Sequence, residues 1–188
     1  MKQFTRTKTI IQEVGIRFKR QVVIKRYRTE DGREHEFTTF GREGSKTSAV
    51  IAVTPDKKVV VTYQFRAGYD QWLFELPGGG LKDDEEFQAA AIRELKEETG
   101  YVPDAIEYLG ESQWDAYNNT VAHYYLATGC VLSRSGDHLD AEESDQGAEV
   151  RLIPIDELIQ NAKGNRMSDP RAVLMAYDRL MELKKEGA

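Results

Sequence analysis

Glu94, Glu97 and Glu98 stand within one short stretch, beside Arg93 and downstream of Glu85, in Gly79 to Tyr101, GGLKDDEEFQAAAIRELKEETGY. Carboxylates this close repel one another, by a few tenths of a kcal/mol (about 0.2–0.5) per i,i+4 pair on a helix and by more where water is scarce. A cation relieves that repulsion. An all-oxygen ligand set suits Mg²⁺ or Mn²⁺, which take one or two carboxylates, waters and substrate phosphates. The surrounding stretch supplies the element that positions these groups. At about 100° per residue, Phe87, Ala91, Leu95 and Ile92 form one apolar stripe, and Glu97, Glu94 and Glu98 converge on an arc about 100° wide at its edge. Ala90 falls among the acids and leaves room for a bulky ligand. Asp83 and Asp84 are candidates to cap the helix N-terminus, and Gly100 ends it.

A solvated helix face would account for three glutamates alone. It leaves unexplained the glycine-rich entry, Arg93 placed to pair with Glu97 one turn on, and the glycine exit. From Gly79 there are five residues to Glu85, seven more to Arg93, then Glu94, Leu95, one residue, Glu97, Glu98, one residue and Gly100. This is the spacing of the Nudix box, and the chain resembles the Nudix hydrolases; Tyr101 stands where a branched aliphatic is usual.

The resemblance implies hydrolysis of a nucleoside diphosphate joined to a further group, with a divalent metal, Mg²⁺ or alternatively Mn²⁺, screening the phosphates and activating water. It implies Glu94 and Glu98 as direct metal ligands, Glu97 as a further ligand or water-holding group, and Gly78 as a backbone carbonyl ligand. Arg93 and Glu85 would orient the site. The proton acceptor is a box glutamate, Glu97 or Glu98, in some members, and an acid on a later loop in the ADP-ribose pyrophosphatases. Here that loop offers Glu143, with Glu142 as second choice. An acidic surface loop is the other reading of the same residues.

Outside the box, Gln64-Phe65-Arg66 followed by Trp72-Leu73-Phe74-Glu75-Leu76-Pro77 is similar to the "QYR … WELPAG" stretch of ADP-ribose and nucleoside-diphosphate-sugar pyrophosphatases, with Phe65 in place of Tyr. Arg66 can hold a phosphate through its planar fork or pair with a surface acid. Where many such enzymes carry Ser-Pro-Gly, this chain has Gln113-Trp114-Asp115-Ala116-Tyr117-Asn118-Asn119. Trp114 and Tyr117 can stack on a base or sugar, or pack as a loop. The expected reaction is cleavage of ADP-ribose or a related nucleoside-diphosphate sugar to a nucleoside monophosphate and a sugar phosphate. The alternatives are a dinucleoside polyphosphate or nucleoside triphosphate substrate, or a Nudix ligand sensor without turnover.

The rest of the chain sets bounds. Its 188 residues suffice for one domain with a good core plus a short extension. The single cysteine, Cys130, cannot form an internal disulfide and reads as a small core residue. No apolar leader or membrane-length run occurs, so a cytoplasmic protein without membrane contact is expected. Residues 1–48 hold twelve Lys or Arg against six acids, while the whole chain carries −6. Those basic residues alternate with apolar ones as on exposed strand faces, so nucleic-acid binding is not expected.

Val14 to Tyr27 reads as a strand, Asp31-Gly32 as a hairpin turn, and Glu36 to Phe40 as the returning strand. Ser48–Val53 and Val59–Arg66 predict a central hairpin, followed by strands at Trp72–Leu76, Ile106–Ser112, Ala122–Thr128 and Glu149–Pro154. Helices are expected at Ile155–Ala162 and after Ser168-Asp169-Pro170, with Pro170 in the first turn. The fold class is α+β, an α/β/α sandwich with a mixed sheet as the resemblance implies. Residues 1–47 form an N-terminal antiparallel β extension, similar to the arm through which related enzymes form a homodimer, and residues 48–188 form the hydrolase domain.

Overall fold

The computed structural model describes residues 3–16, 19–133 and 148–186. Its contacts divide the chain into two units, Met1–Lys46 with Ser112–Ala122, and Thr47–Glu111 with His123–Ala188.

The first unit is built on an antiparallel meander of β1 (Phe4–Val14), β2 (Arg20–Thr29) and β3 (Glu34–Phe40). Gly32, at φ 81°, turns β2 into β3, and its N–H donates to Thr29 O at 2.8 Å. The strand expected from Val14 to Tyr27 is present as β2, which starts at Arg20, and a further strand, β1, ends at Val14. β1 was missed because only Ile10 along its length is partly buried, which leaves little alternation to read. One face of the meander gathers Phe4, Tyr27, His35 and Phe37, with ring centroids 5.2 Å apart for Phe4–His35 and 5.8 Å for Tyr27–Phe37. The segment 112–122 is fastened here by its backbone: Phe40 N–H donates to Tyr117 O at 2.7 Å and Asn119 N–H to Phe40 O at 2.8 Å.

The second unit carries the larger sheet. Its strands are β4 (Lys46–Val53), β5 (Lys58–Arg66), β6 (Gln71–Glu75), β7 (Gly78–Gly80), β9 (Ala105–Gln113), β10 (Val121–Thr128) and β12 (Glu149–Pro154), in the order β12-β5-β4-β10-β9, with β6 paired to β5 and β7 to β4. A small pair, β8 (Tyr101–Val102) and β11 (Val131–Leu132), lies apart from it. The side-chain period of two splits the central strands between opposite faces. Val50, Ala52, Val60, Tyr125 and Ala127 pack with Ala91, Leu95 and Cys130, so helix α1 (Phe87–Thr99) covers one face. Ile51, Val53, Val59, Val61, Tyr124 and Leu126 are as buried but point the other way. That face is covered by α2 (Ile155–Lys163), α3 (Arg171–Met175) and α4 (Tyr177–Lys185), which bury Leu158, Val173 and Leu180. The result is the expected α/β/α sandwich on a mixed sheet.

Two helix starts differ from expectation. Helix α1 begins at Phe87 behind an extended Glu86 with no side-chain cap, and Asp84 sits at φ 58°, so neither aspartate caps it. The last helix starts at Arg171, with Pro170 just before its first turn, and Asp169 Oδ1 accepts the Arg171 N–H at 3.0 Å. It also breaks at Ala176 into α3 and α4, and Tyr177 at the start of α4 is exposed.

Candidate active site

Helix α1 is fixed before any charge enters the account. Ser48, fully buried on β4, donates its hydroxyl to Phe87 O at 2.8 Å and so holds the first turn. The His123 ring stacks on Phe87 with centroids 3.6 Å apart, and Tyr108 Oη lies 3.3 Å from His123 Nδ1. At the other end Gly100 adopts φ 76° and returns its N–H to Lys96 O, closing the helix in the left-handed conformation that glycine adopts readily. The helix therefore has little freedom to rotate, and its buried positions, Ala90, Ala91, Leu95, Glu98 and Thr99, define which acids face inward.

Glu98 is 8% exposed, and its Oε2 accepts the Gly78 N–H at 3.2 Å. Glu94, one turn earlier, is also largely enclosed, because strand β7 runs directly alongside it; a Cβ on Gly79 would meet its Oε1 at 2.5 Å. Burial pushes the Glu94 carboxyl above the usual carboxylate range, against the opposing pull of Arg93. Glu97 instead is exposed: burial raises its carboxyl, but hydrogen bonds from Arg93 and Lys82 outweigh that and hold it low. The arc of three acids read from the helical period is thus split into two enclosed carboxylates and one at the rim. Ala90 is packed into the core and opens no space.

Arg93 organises this cluster. Its Nε donates to Glu85 Oε1 at 2.8 Å, Nη1 to Glu94 Oε1 at 2.7 Å and Glu97 Oε2 at 2.8 Å, and Nη2 to Gly80 O at 3.0 Å and Glu85 Oε2 at 2.9 Å. Glu85 in turn accepts the Lys82 N–H at 2.9 Å. These hydrogen bonds, from Arg93 first and then from the Lys82 backbone, hold the Glu85 carboxyl down to about 2. The Arg93 guanidinium is held above its ordinary value, by Glu85 most of all.

The donor set fits a hard divalent cation in kind: oxygen only, two members enclosed, one of them raised by desolvation that a cation would relieve. Among the described residues no three acidic, histidine or cysteine side chains already converge as a ligand cluster, and Arg93 binds both Glu94 and Glu97.

Of the residues singled out from sequence, Gly78, Arg93, Glu94, Glu97 and Glu98 come together with Glu85 in the second unit. Arg66 lies in the same unit, at the end of β5, where it pairs through two hydrogen bonds with the buried Glu75, Nε to Oε1 at 2.6 Å. Gln64 Nε2 donates to the same carboxylate at 3.0 Å. Trp114 and Tyr117 belong to the first unit and are exposed. Tyr117 lines a cavity of about 470 Å³ with Phe4, Tyr27, Phe37, Lys25 and Asn119, and Lys25 Nζ donates to Asn119 Oδ1 at 2.6 Å. Glu143 and Glu142 lie outside the described residues.

Sequence reasoning missed four participants. Glu75 and Gly79 lay within stretches already quoted, but nothing in their spacing showed that one receives Arg66 and the other abuts Glu94. Lys82 is the only base in GGLKDDEE, which was a usable signal. Ser48 gave none, because a serine in a β-branched run reads as an ordinary strand residue.

A family model for the NUDIX domain matches residues 44–174. The chain is 32% identical over 139 residues to the methanol dehydrogenase activator of Bacillus methanolicus, covering 73% of this chain and 74% of that protein. It is 30% identical over 114 residues to the ADP-ribose pyrophosphatase of Bacillus subtilis (strain 168), covering 60% of this chain and 62% of the relative. Among solved structures, an ADP compounds hydrolase superposes with TM-score 0.71 over 98% of this chain and 96% of the other, at 14% identity, a likeness of fold. With the box glutamates set on α1 beside the glycine strand and the family model spanning most of the chain, this protein belongs to the Nudix hydrolases.

Proposed function

We propose that this Nudix hydrolase is a divalent-metal-dependent pyrophosphatase acting on ADP-ribose or a related nucleoside-diphosphate sugar, yielding a nucleoside monophosphate and a sugar phosphate. The observation that carries the reading is the pair of enclosed carboxylates, Glu94 and Glu98, on successive turns of α1 against the bare backbone of Gly78 and Gly79. Glu94 and Glu98 would hold the Mg²⁺ or Mn²⁺, with Glu97 and the Gly78 carbonyl as further oxygen donors. When bound, the metal supplies charge screening for the diphosphate and a bound water of lowered pKa. Arg93 bridges Glu94 and Glu97 through one nitrogen and fixes their aim, as supporting hydrogen bonds do around ligand sets generally. Arg66, fixed in its plane by Glu75, is the proposed phosphate contact. Glu143 is the proposed proton acceptor, and Trp114 and Tyr117 are the proposed contacts to base or sugar.

The sugar-diphosphate assignment draws on the similarity to the Bacillus subtilis ADP-ribose pyrophosphatase. A homodimer is proposed too. It is supported by β1, an edge strand whose Ile11 and Val14 are exposed, as is Ile16 just beyond it, an arrangement that favours pairing with another chain. Sedimentation equilibrium tests it, and a monomer at micromolar concentration would sink it. Among the described residues no helix is long and apolar enough to cross a membrane.

The test of function is a panel of ADP-ribose, other nucleoside-diphosphate sugars, diadenosine polyphosphates and nucleoside triphosphates with Mg²⁺, following AMP and phosphate. Preference for ADP-ribose or a sugar relative is expected. Preference for a diadenosine polyphosphate would overturn the substrate assignment, and tight binding without turnover of any member would replace the enzyme by a sensor. Glu98→Gln should reduce turnover by at least 100-fold with an unchanged circular dichroism spectrum, in line with the loss when a charge-stabilising group is removed.

A further inference from the structure

Both carboxylate oxygens of Glu97 are already engaged by cations. Oε2 accepts from Arg93 Nη1 at 2.8 Å, and Oε1 lies 3.2 Å from Lys82 Nζ. The two cations are held very differently. The Arg93 side chain is 17% exposed and bound to four protein groups, whereas the Lys82 side chain is 64% exposed. Lys82 is nonetheless anchored at its base, because its N–H donates to Glu85 Oε2 at 2.9 Å. Its ammonium therefore reaches the cluster from an anchored backbone along a largely exposed side chain. An exposed ammonium–carboxylate pair is weak, and the ammonium is readily rehydrated.

We propose that Lys82 is a built-in, displaceable counter-ion of Glu97, which competes with the divalent metal for Oε1 and so sets the metal concentration at which Glu97 joins the ligand set. Lys82 is a positioning residue in this role, and it acts on the metal through Glu97. The inference rests on the reading of Glu94, Glu97 and Glu98 as metal ligands. With Lys82 in place, the cluster carries one positive charge more, and a dication must displace the ammonium to reach Oε1. Without it, Oε1 faces solvent and the cluster attracts a dication more strongly. Arginine at the same position keeps the charge and the competition.

Mn²⁺ binding to the intact, substrate-free protein tests this, read by electron paramagnetic resonance of free Mn²⁺ for the wild type, Lys82→Met, Lys82→Arg, Glu97→Gln and the Lys82→Met/Glu97→Gln double variant. Lys82→Met should bind Mn²⁺ at least threefold more tightly than wild type, and Lys82→Arg should stay near wild type. In the Glu97→Gln background the Lys82→Met effect should vanish, since the contested oxygen no longer carries charge. Equal or weaker Mn²⁺ binding by Lys82→Met, with wild-type binding intact, overturns the counter-ion role alone. A gain that survives in the Glu97→Gln background also overturns it. Absence of Mn²⁺ binding by every variant overturns the metal-ligand reading together with it.

Discussion

Gly79 and Glu94 compete for one space: a Cβ added to Gly79 would sit 2.5 Å from Glu94 Oε1 and 2.6 Å from its carboxyl carbon. The obstacle is the end of a side chain, so the carboxylate can turn aside, but its aim is then lost. Gly79→Ala is expected to lower kcat by about 10- to 100-fold, the scale of a displacement near 1 Å at a reacting centre. Its urea midpoint should stay close to wild type. Gly78→Ala meets backbone instead, Ser48 O at 2.4 Å and Ala49 Cα at 2.7 Å, and must spread β4 from β7. That variant should lose about 1–3 kcal/mol of stability, as overpacked sites do. Paired kinetics and urea titrations check both, and the pattern fails if the two variants behave alike.

Ser48→Ala removes the hydroxyl that holds the first turn of α1 and leaves the Phe87 carbonyl without it. The expected loss is about 1 kcal/mol, typical of a single buried hydrogen bond. Amide hydrogen exchange should quicken at the start of α1 more than at its centre. Uniform exchange rates along the helix would show that Ser48 does not secure that end.

Cys130 is 1% exposed in the core beneath α1, and burial pushes its thiol up to about 11 from an ordinary 9.0. A group whose pKa is raised by folding contributes stability fully below its unfolded value and loses that contribution as pH rises through the folded one. Wild type should therefore lose stability relative to Cys130→Ala between pH 9 and about 11, while their difference stays flat from pH 6 to 8. At pH 8 the native thiol should react with a disulfide reagent at least 100-fold more slowly than the urea-unfolded one, and comparable rates would contradict its enclosure.

Glu85 shifts the opposite way, from an ordinary 4.5 down to about 2. Its ionised form therefore contributes stability above about pH 4.5, and that contribution is lost as pH falls toward 2. Glu85→Gln should be less stable than wild type at pH 7, and the gap should narrow steadily below pH 4.5. Thermal midpoints at pH 7, 5, 4 and 3 measure this; a gap that does not change with pH would remove the Arg93 pairing as its source.

What could be read in advance divides along physical lines. The central strands were legible because Val50–Val53 and Val59–Val61 are buried on both faces and make continuous β-branched runs. Helix α1 was legible because its apolar stripe and glycine exit are properties of the chain alone. β1 was not, since an exposed edge strand has no core to impose alternation on it. The position of Glu97 was also beyond sequence: the helical period places it next to Glu94, but the depth of its carboxylate depends on where β7 stops and on Lys82. Arg66 illustrates the same limit, because its partner Glu75 lies on a neighbouring strand whose register the sequence does not reveal.

The hydrogen-bond valence of Arg93 carries a consequence for the whole site. A guanidinium has five N–H groups, and Arg93 makes five hydrogen bonds, to Glu85 twice, Glu94, Glu97 and the Gly80 carbonyl. Its donor capacity is saturated by the protein, which leaves it acting as a scaffold joint instead of an anion clamp. Lysine, with three donors radiating from one nitrogen, could not close the same joint. Recognition of an incoming anion thus falls to other groups, and damage at position 93 would loosen four acceptors in one stroke.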